Sequence, residues 1–384
     1  MIVEVISKEV IKPSIPTPNH LKYHNLSLFD RVNGPILMPT IFFYSINRSL
    51  NPDINTMVTR LNESLFVTLT KFYPLAGQVT DQNHVICNDE GVPYVQTRVN
   101  RRLNKVVDKA EVRELDKLLP CKPHGPSTLI LTIQVNVFEC GGIAIGICMN
   151  HKVCDAFSIL MFINTWSIIA RGDRISESSC ILPRFDGAKL FPSTNNLSKF
   201  SRIVATSKSI TNNVPYEVCQ AVSVRSKINY FQEKSFYFGN LYVNAIAKPL
   251  VTTDNGSKMY REIIELIRDA TKKIDSTFMV SVRDGTQDLD FVTDHFERAK
   301  KGKIVSLGFS SYGSLPLYES DFGWGKPVWV TSATLAMKNV IILIPSHFRT
   351  QVDAYVCLSE ESMRNLECDQ EFTLFAKKSL CSKL

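Results

Sequence analysis

What the chain lacks narrows its reading first. Its 384 residues include ten cysteines but no Cys-x-x-Cys pair, which argues against a zinc site and against a disulfide framework alike. A reducing cytosol is then the simplest home. No Gly-x-Ser-x-Gly elbow and no cluster of spaced metal ligands supports a hydrolase, a lyase or a metalloenzyme. The net charge is +7 without a dense Lys/Arg run, so nucleic acid is not an expected partner; the excess would suit an anionic small ligand or be a solvated basic surface. Met1–Pro13 mixes Glu4, Lys8, Glu9 and Lys12 into its apolar residues and has no signal-peptide core. The most apolar region, Leu129–Met149, is broken by Gln134, Asn136, Glu139 and Gly141-Gly142, so it is not expected to span a membrane. The Asn-x-Ser sites at Asn25 and Asn62 read as chance matches without a secretory route. No internal repeat is visible.

What is present is the composition of a globular protein, 44% hydrophobic and 21% charged, long enough for two domains. Its organising stretch is Glu139–Trp166. Thr132–Val137 alternates polar and apolar residues like a strand, and Gly141-Gly142 supplies a tight reversal. Ile143, Ile145, Ile147 and Met149 then share one face of a second strand, while Ala144, Gly146 and Cys148 keep the other face thin. That strand delivers His151 to its end. A helix follows with Asp155 in its first turn, its apolar residues recurring through Phe157, Leu160 and Met161, and Gly172 closing it.

His151 and Asp155 form H-x-x-x-D. If both lie on one helix, the spacing puts them on one face. One reading makes His151 a general base, because an imidazole titrating near 6.5 suits proton abstraction close to neutrality. The competing reading is a hydrogen-bonded core histidine, with Asp155 favouring a helix N-terminus electrostatically.

Along the rest of the chain, Pro13, Pro16 and Pro18 punctuate an extended start, and Ile36–Tyr44 reads as a strand. A helix opens at Asn51-Pro52-Asp53 and carries the core stripe Ile54, Val58, Leu61, Leu65, Leu69 and Phe72. Short strands are expected at Val85–Cys87 and Tyr94–Arg98. Ser193–Asn213 has twelve Ser, Thr or Asn among its twenty-one residues and reads as an interdomain connection. Beyond it come strands at Ala221–Val224, Leu241–Ala247, Val328–Thr334 and Val340–Leu343. One amphipathic helix has Met259, Ile263, Ile264, Ile267, Ala270 and Ile274 on a single face.

A second marker is Asp321-Phe322-Gly323-Trp324-Gly325. Paired in this order with His151-Lys152-Val153-Cys154-Asp155, it resembles the plant BAHD acyl-CoA-dependent acyltransferases, whose hallmarks are H-x-x-x-D and a downstream D-F-G-W-G. Tyr73–Gly77, Cys87–Gly91, Cys140-Gly141-Gly142 and Phe238-Gly239-Asn240 match further family landmarks, so the resemblance covers nearly the whole chain. It is closest to alkaloid O-acetyltransferases of the vinorine synthase type.

The resemblance implies an α/β fold of two chloramphenicol-acetyltransferase-like domains with mixed sheets and an active-site channel between them. The expected division is 1–192, a shortened connection at 193–213, and 214–384. It implies an O-acyltransferase acting on an acyl-CoA, acetyl-CoA above all, and a small-molecule alcohol. No bound cofactor and no metal are expected, and a cytoplasmic monomer is. His151 is the implied base. Asp155 and Arg225 are implied to pair and hold the site's shape, Asp321 and Gly323 to support the fold, and Trp324 to be a candidate oxyanion donor alongside a backbone N–H. Two departures stand out: Ala156 replaces the usual glycine, and the connection is compressed where the family carries a strand and helices. A working short variant and an inert, destabilised paralogue are both compatible with that compression.

Overall fold

The computed structural model describes residues 1–47, 53–80, 83–121, 127–173, 182–192, 214–228, 237–248, 257–347 and 350–376. The expected connection at 193–213 lies outside them. Two mixed sheets dominate. The first runs, in spatial order, Val3–Ile11, Val92–Val99, Leu131–Phe138, Ile143–Asn150, Leu37–Tyr44 and Trp329–Thr331. The second runs Tyr242–Ala247, Tyr216–Ser223, Val305–Ser311, Val340–Pro345 and Val352–Cys357. A small third sheet joins Tyr23–Asn25, His84–Ile86 and Gln78–Val79.

All eight residues of Ile143–Asn150 are buried, because this strand lies inside the first sheet with both faces covered. The hairpin that leads into it closes as the glycines require. Gly141 takes φ 87°, and its N–H donates to the Phe138 carbonyl at 2.8 Å. On the thin face, a Cβ at Gly146 would stand 2.1 Å from the Leu118 carbonyl oxygen, so only glycine admits that backbone. The opposite face carries Ile143, Ile145, Ile147 and Met149 into the main core, together with the helices Ile54–Lys71 and Ala156–Arg171. The two helices are locked by the Trp166 indole N–H, which donates to Ser64 Oγ at 2.9 Å. Asp53 caps the first, accepting from the N–H groups of Asn55 and Thr56. Gly172 ends the second in the left-handed conformation, φ 78°.

Three expectations change. Asp155 is the N-cap of the helix Ala156–Arg171 and not part of its first turn, and His151 sits in the preceding turn; the pair therefore does not share a helical face. The helix Ser257–Lys272 stops short of Ile274, which packs into the core beyond its end. The strand expected at Val328–Thr334 is only Trp329–Thr331, and it pairs antiparallel with Ile41–Phe43 of the first sheet. The second half of the chain thus lends the first sheet an edge strand that hydrophobic pattern alone could not assign to a partner.

Candidate active site

His151 follows directly on Asn150, and its backbone N–H donates to the Ile36 carbonyl at 2.8 Å, which pins the turn against the neighbouring strand. Its side chain is half-buried and lines a cavity of about 430 Å³ with Tyr242, Asn244, Ser310 and Tyr312 of the second half of the chain. Nδ1 lies 3.2 Å from Oδ1 of Asn240. The orientation of that amide is set by its other end: Nδ2 donates to the Asp30 carboxylate at 2.9 Å and to the His151 carbonyl at 2.8 Å. Oδ1 must therefore face the ring, so Nδ1 carries the proton and donates. Nε2 is left as the acceptor, the tautomer a general base needs. Burial pushes the His151 pKa below the ordinary imidazole value, against the opposing pull of Asp155, so the ring is neutral near pH 7.

Asp30 anchors this arrangement. It belongs to the capping box of the short helix Leu28–Arg31, accepting from Ser27 N–H and Oγ–H at 2.9 and 2.6 Å, and it also accepts the Asn240 backbone N–H at 2.7 Å. Asp30, Asn240 and His151 thus form a carboxylate–amide–imidazole line across 210 residues of sequence. Asn240 stood in a motif noted above, but no sequence signal marked it as the partner of His151, and Asp30 carried no signal at all.

Asp155 points elsewhere. Its Oδ1 caps Ser158 N–H at 2.9 Å, both oxygens accept from Arg225 Nη2 at 2.9 Å, and Oδ2 accepts Leu241 N–H at 3.1 Å. Arg225 in turn donates to the Tyr237 and Gly239 carbonyls at 2.7 and 3.0 Å and lies over the Phe157 ring. The pair ties the helix N-terminus to the segment Tyr237–Tyr242 that presents Asn240. Breaking one partner of such a buried ion pair leaves an uncompensated charge and typically costs about 3–5 kcal/mol.

The D-F-G-W-G segment is at the other end of that helix. Asp321 accepts the N–H groups of Gly323 and Gly325 at 2.8 and 2.9 Å, closing a turn in which both glycines have positive φ. Phe322 is buried against Trp166 and Tyr44 and stacks on Trp324, ring centroids 5.4 Å apart. Asp321 lies 3.9 Å from Arg171, the last residue of the helix. Sixteen helical residues span roughly 24 Å, and His151 is beyond the opposite terminus. Strand register gives a second ruler. Trp324 packs on Tyr44, which pairs with Ile143, whereas Leu37 at the far end of the same strand pairs with Asn150 beside His151. Seven strand steps again make roughly 24 Å. Trp324 is therefore too far from His151 to donate to an oxyanion there, and that expectation is withdrawn. The pattern of the motif carried no distance.

This site lies on a chain with recognisable relatives. The model described as the Transferase family matches residues 1–216 and 201–373. The chain belongs to this BAHD family. A limonoid 21-O-acetyltransferase of Citrus sinensis is 31% identical over 96% of this chain and 97% of its own length. Stemmadenine O-acetyltransferase of Catharanthus roseus is 28% identical, covering 95% of this chain and 96% of that protein. The crystal structure of vinorine synthase superposes with a TM-score of 0.76 at 27% identity over 94% of this chain and 96% of that one. At 15% identity, F. graminearum TRI101 in complex with coenzyme A and T-2 mycotoxin superposes with a TM-score of 0.66 over 92% of this chain and 99% of that one, which shows the shared fold. The BAHD chain is thus an acyltransferase with the family's two-domain α/β architecture. The alignment with the Catharanthus protein runs over 424 positions, more than the 384 residues available, so that relative carries segments this chain lacks.

Proposed function

We propose that this chain is an acyl-CoA-dependent O-acyltransferase that moves acetyl from acetyl-CoA to a hydroxyl of an alkaloid-like plant secondary metabolite, with His151 as the general base. The observation that carries the reading is the Asn240 contact, which sets Nε2 as the acceptor of a neutral His151 whose ring lines the cavity. An alcohol is a weak nucleophile at neutral pH, so its proton must leave as it attacks the thioester carbonyl; Nε2 takes it. The imidazolium then returns a proton to the departing thiolate. Holding donor and acceptor in one cavity supplies proximity. The names of the relatives, O-acetyltransferases of alkaloid and limonoid substrates, support acetyl as the acyl group.

The charge developing on the carbonyl oxygen needs a donor. With Trp324 remote, a backbone N–H or the Tyr312 hydroxyl fills that role. Tyr312 lines the cavity, and burial pushes its phenol up to about 12, which keeps it a donor. We assign Asp155 and Arg225 to holding the site's shape, Asp321 and Gly323 to the fold, and the domain limits to 1–192 and 214–384. The two matches to the family model meet at 201–216, which supports a shortened connection there. Incubation with acetyl-CoA and hydroxylated alkaloids, with products read by mass spectrometry, tests the reading. An O-acetyl ester is expected; soluble, cooperatively melting protein that acetylates no acceptor would support an inert paralogue instead.

A further inference from the structure

A second histidine stands in a triad-like arrangement that acyl transfer at His151 does not use. The helix Asp290–Lys300 packs on the second sheet, and from it His295 reaches two neighbouring strands. Its Nδ1 lies 2.8 Å from Oε2 of Glu217, and its Nε2 lies 2.7 Å from Oγ of Ser306. Glu217 and Ser306 are register partners in parallel strands, so their side chains leave the same face of the sheet. His295 and Glu217 are 1% and 4% exposed, whereas Ser306 is half-buried and lines the cavity. Arg298 holds the other oxygen of Glu217 at 2.9 Å.

A carboxylate on Nδ1 selects the tautomer in which Nε2 is the acceptor, and at 2.7 Å Nε2 receives the hydrogen of the Ser306 hydroxyl. This is the geometry of an activated serine. Burial, helped by the nearby Arg298 charge, holds the His295 pKa below its ordinary value against the pull of Glu217, which keeps the ring neutral and able to take a proton. The centre is separate from His151. The His151 ring lies 5.8 Å from Tyr242, which pairs with Ser223, and Glu217 is six residues earlier on that strand. Six strand steps are roughly 20 Å.

We propose that Ser306, activated by His295 and oriented through Glu217, is a second acyl-accepting nucleophile at the far end of the cavity, taking activated carboxylic esters and thioesters. Ser306 Oγ attacks the acyl carbon while its proton passes to Nε2 of His295. The bond from that carbon to the leaving oxygen or sulfur breaks, and the leaving group takes the proton from the imidazolium. The acyl group is then an ester on Ser306. Water, deprotonated by the same imidazole, attacks this ester, releasing the carboxylic acid and restoring the hydroxyl.

The test reacts the intact chain with an alkyl fluorophosphonate and maps the labelled peptide. Label on Ser306 is expected in the folded protein, lost on unfolding and in His295→Gln, and retained in His151→Ala. With p-nitrophenyl acetate and no alcohol acceptor, Ser306→Ala should lose p-nitrophenolate release by on the order of 10²-fold. Absence of label on Ser306 in the folded wild-type chain overturns the proposal, as does release that Ser306→Ala leaves unchanged. Should Ser306→Ala not fold, labelling of the wild-type chain decides alone. Acceptor-dependent transfer at His151 is scored in its own assay, so the failure of either reading shows without the other.

Discussion

The two ends of the helix Ala156–Arg171 carry the two family motifs, and they are built in opposite ways. At the N-terminal end, charged and polar groups converge: Asp155 on Arg225, Asp30 on Asn240, Asn240 on His151, all beside a cavity. At the C-terminal end, Phe322 and Trp324 are stacked and buried against Tyr44 and Trp166, and the Trp324 indole N–H has no hydrogen-bond partner among the described residues. A buried polar network fixes orientation, because each member has one satisfactory geometry and a high cost for losing it. An aromatic stack fixes position through area and tolerates small polar losses. The first end is made to aim a ring; the second is made to hold the helix in place.

The comparison breaks most readily at Arg225. Arg225→Met should lower stability by about 3–5 kcal/mol, read as a fall in denaturation midpoint, because Asp155 and the Tyr237 and Gly239 carbonyls lose their donor. Stability untouched by this change would mean the N-terminal network does not hold the site together. Asn240→Ala should next cost roughly 10- to 100-fold in kcat, by analogy with the loss of a group that orients a histidine. KM should change less than kcat, since Asn240 touches the imidazole and is not placed on substrate.

A sharper reading comes from pH. Burial holds the His151 pKa below the ordinary imidazole value, so the base is deprotonated at neutral pH and the acid limb of kcat/KM should lie below the pH at which an exposed imidazole would give it. An acid limb centred above 6.5 would show that the ring is not desolvated as the structure has it. The smallest effect belongs to the other end. Trp324→Phe removes an N–H that has no partner among the described residues and keeps an aromatic ring on the stack, so a stability loss of about 1 kcal/mol is expected. A large fall in kcat with this variant, in protein that melts normally, would return Trp324 to the chemistry.

Much of this was legible beforehand because it is local. The Gly141-Gly142 reversal, the buried strand that ends at His151, the N-terminus near Asp155 and the stop at Gly172 all depend on residues within a few turns of one another. What was not legible is long-range. Asp30 meets Asn240 across 210 residues, and Trp329–Thr331 leaves its sequence neighbours for the first sheet. The H-x-x-x-D spacing invited a same-face reading, but the turn before the helix rotates Asp155 away from the ring toward Arg225, the partner that the resemblance implied. Trp324 was misassigned because sequence proximity to a hallmark motif says nothing of the roughly 24 Å of helix that separates the two ends.

In the proposed mechanism, acyl transfer is carried out at the His151 end of this helix. Its most direct test is acceptor-dependent release of free thiol from acetyl-CoA, compared between the wild-type chain and His151→Ala at matched folded concentration. The variant should melt as the wild type does while acceptor-dependent release falls by about 10²-fold or more. Release that continues at the wild-type rate in folded His151→Ala would contradict it.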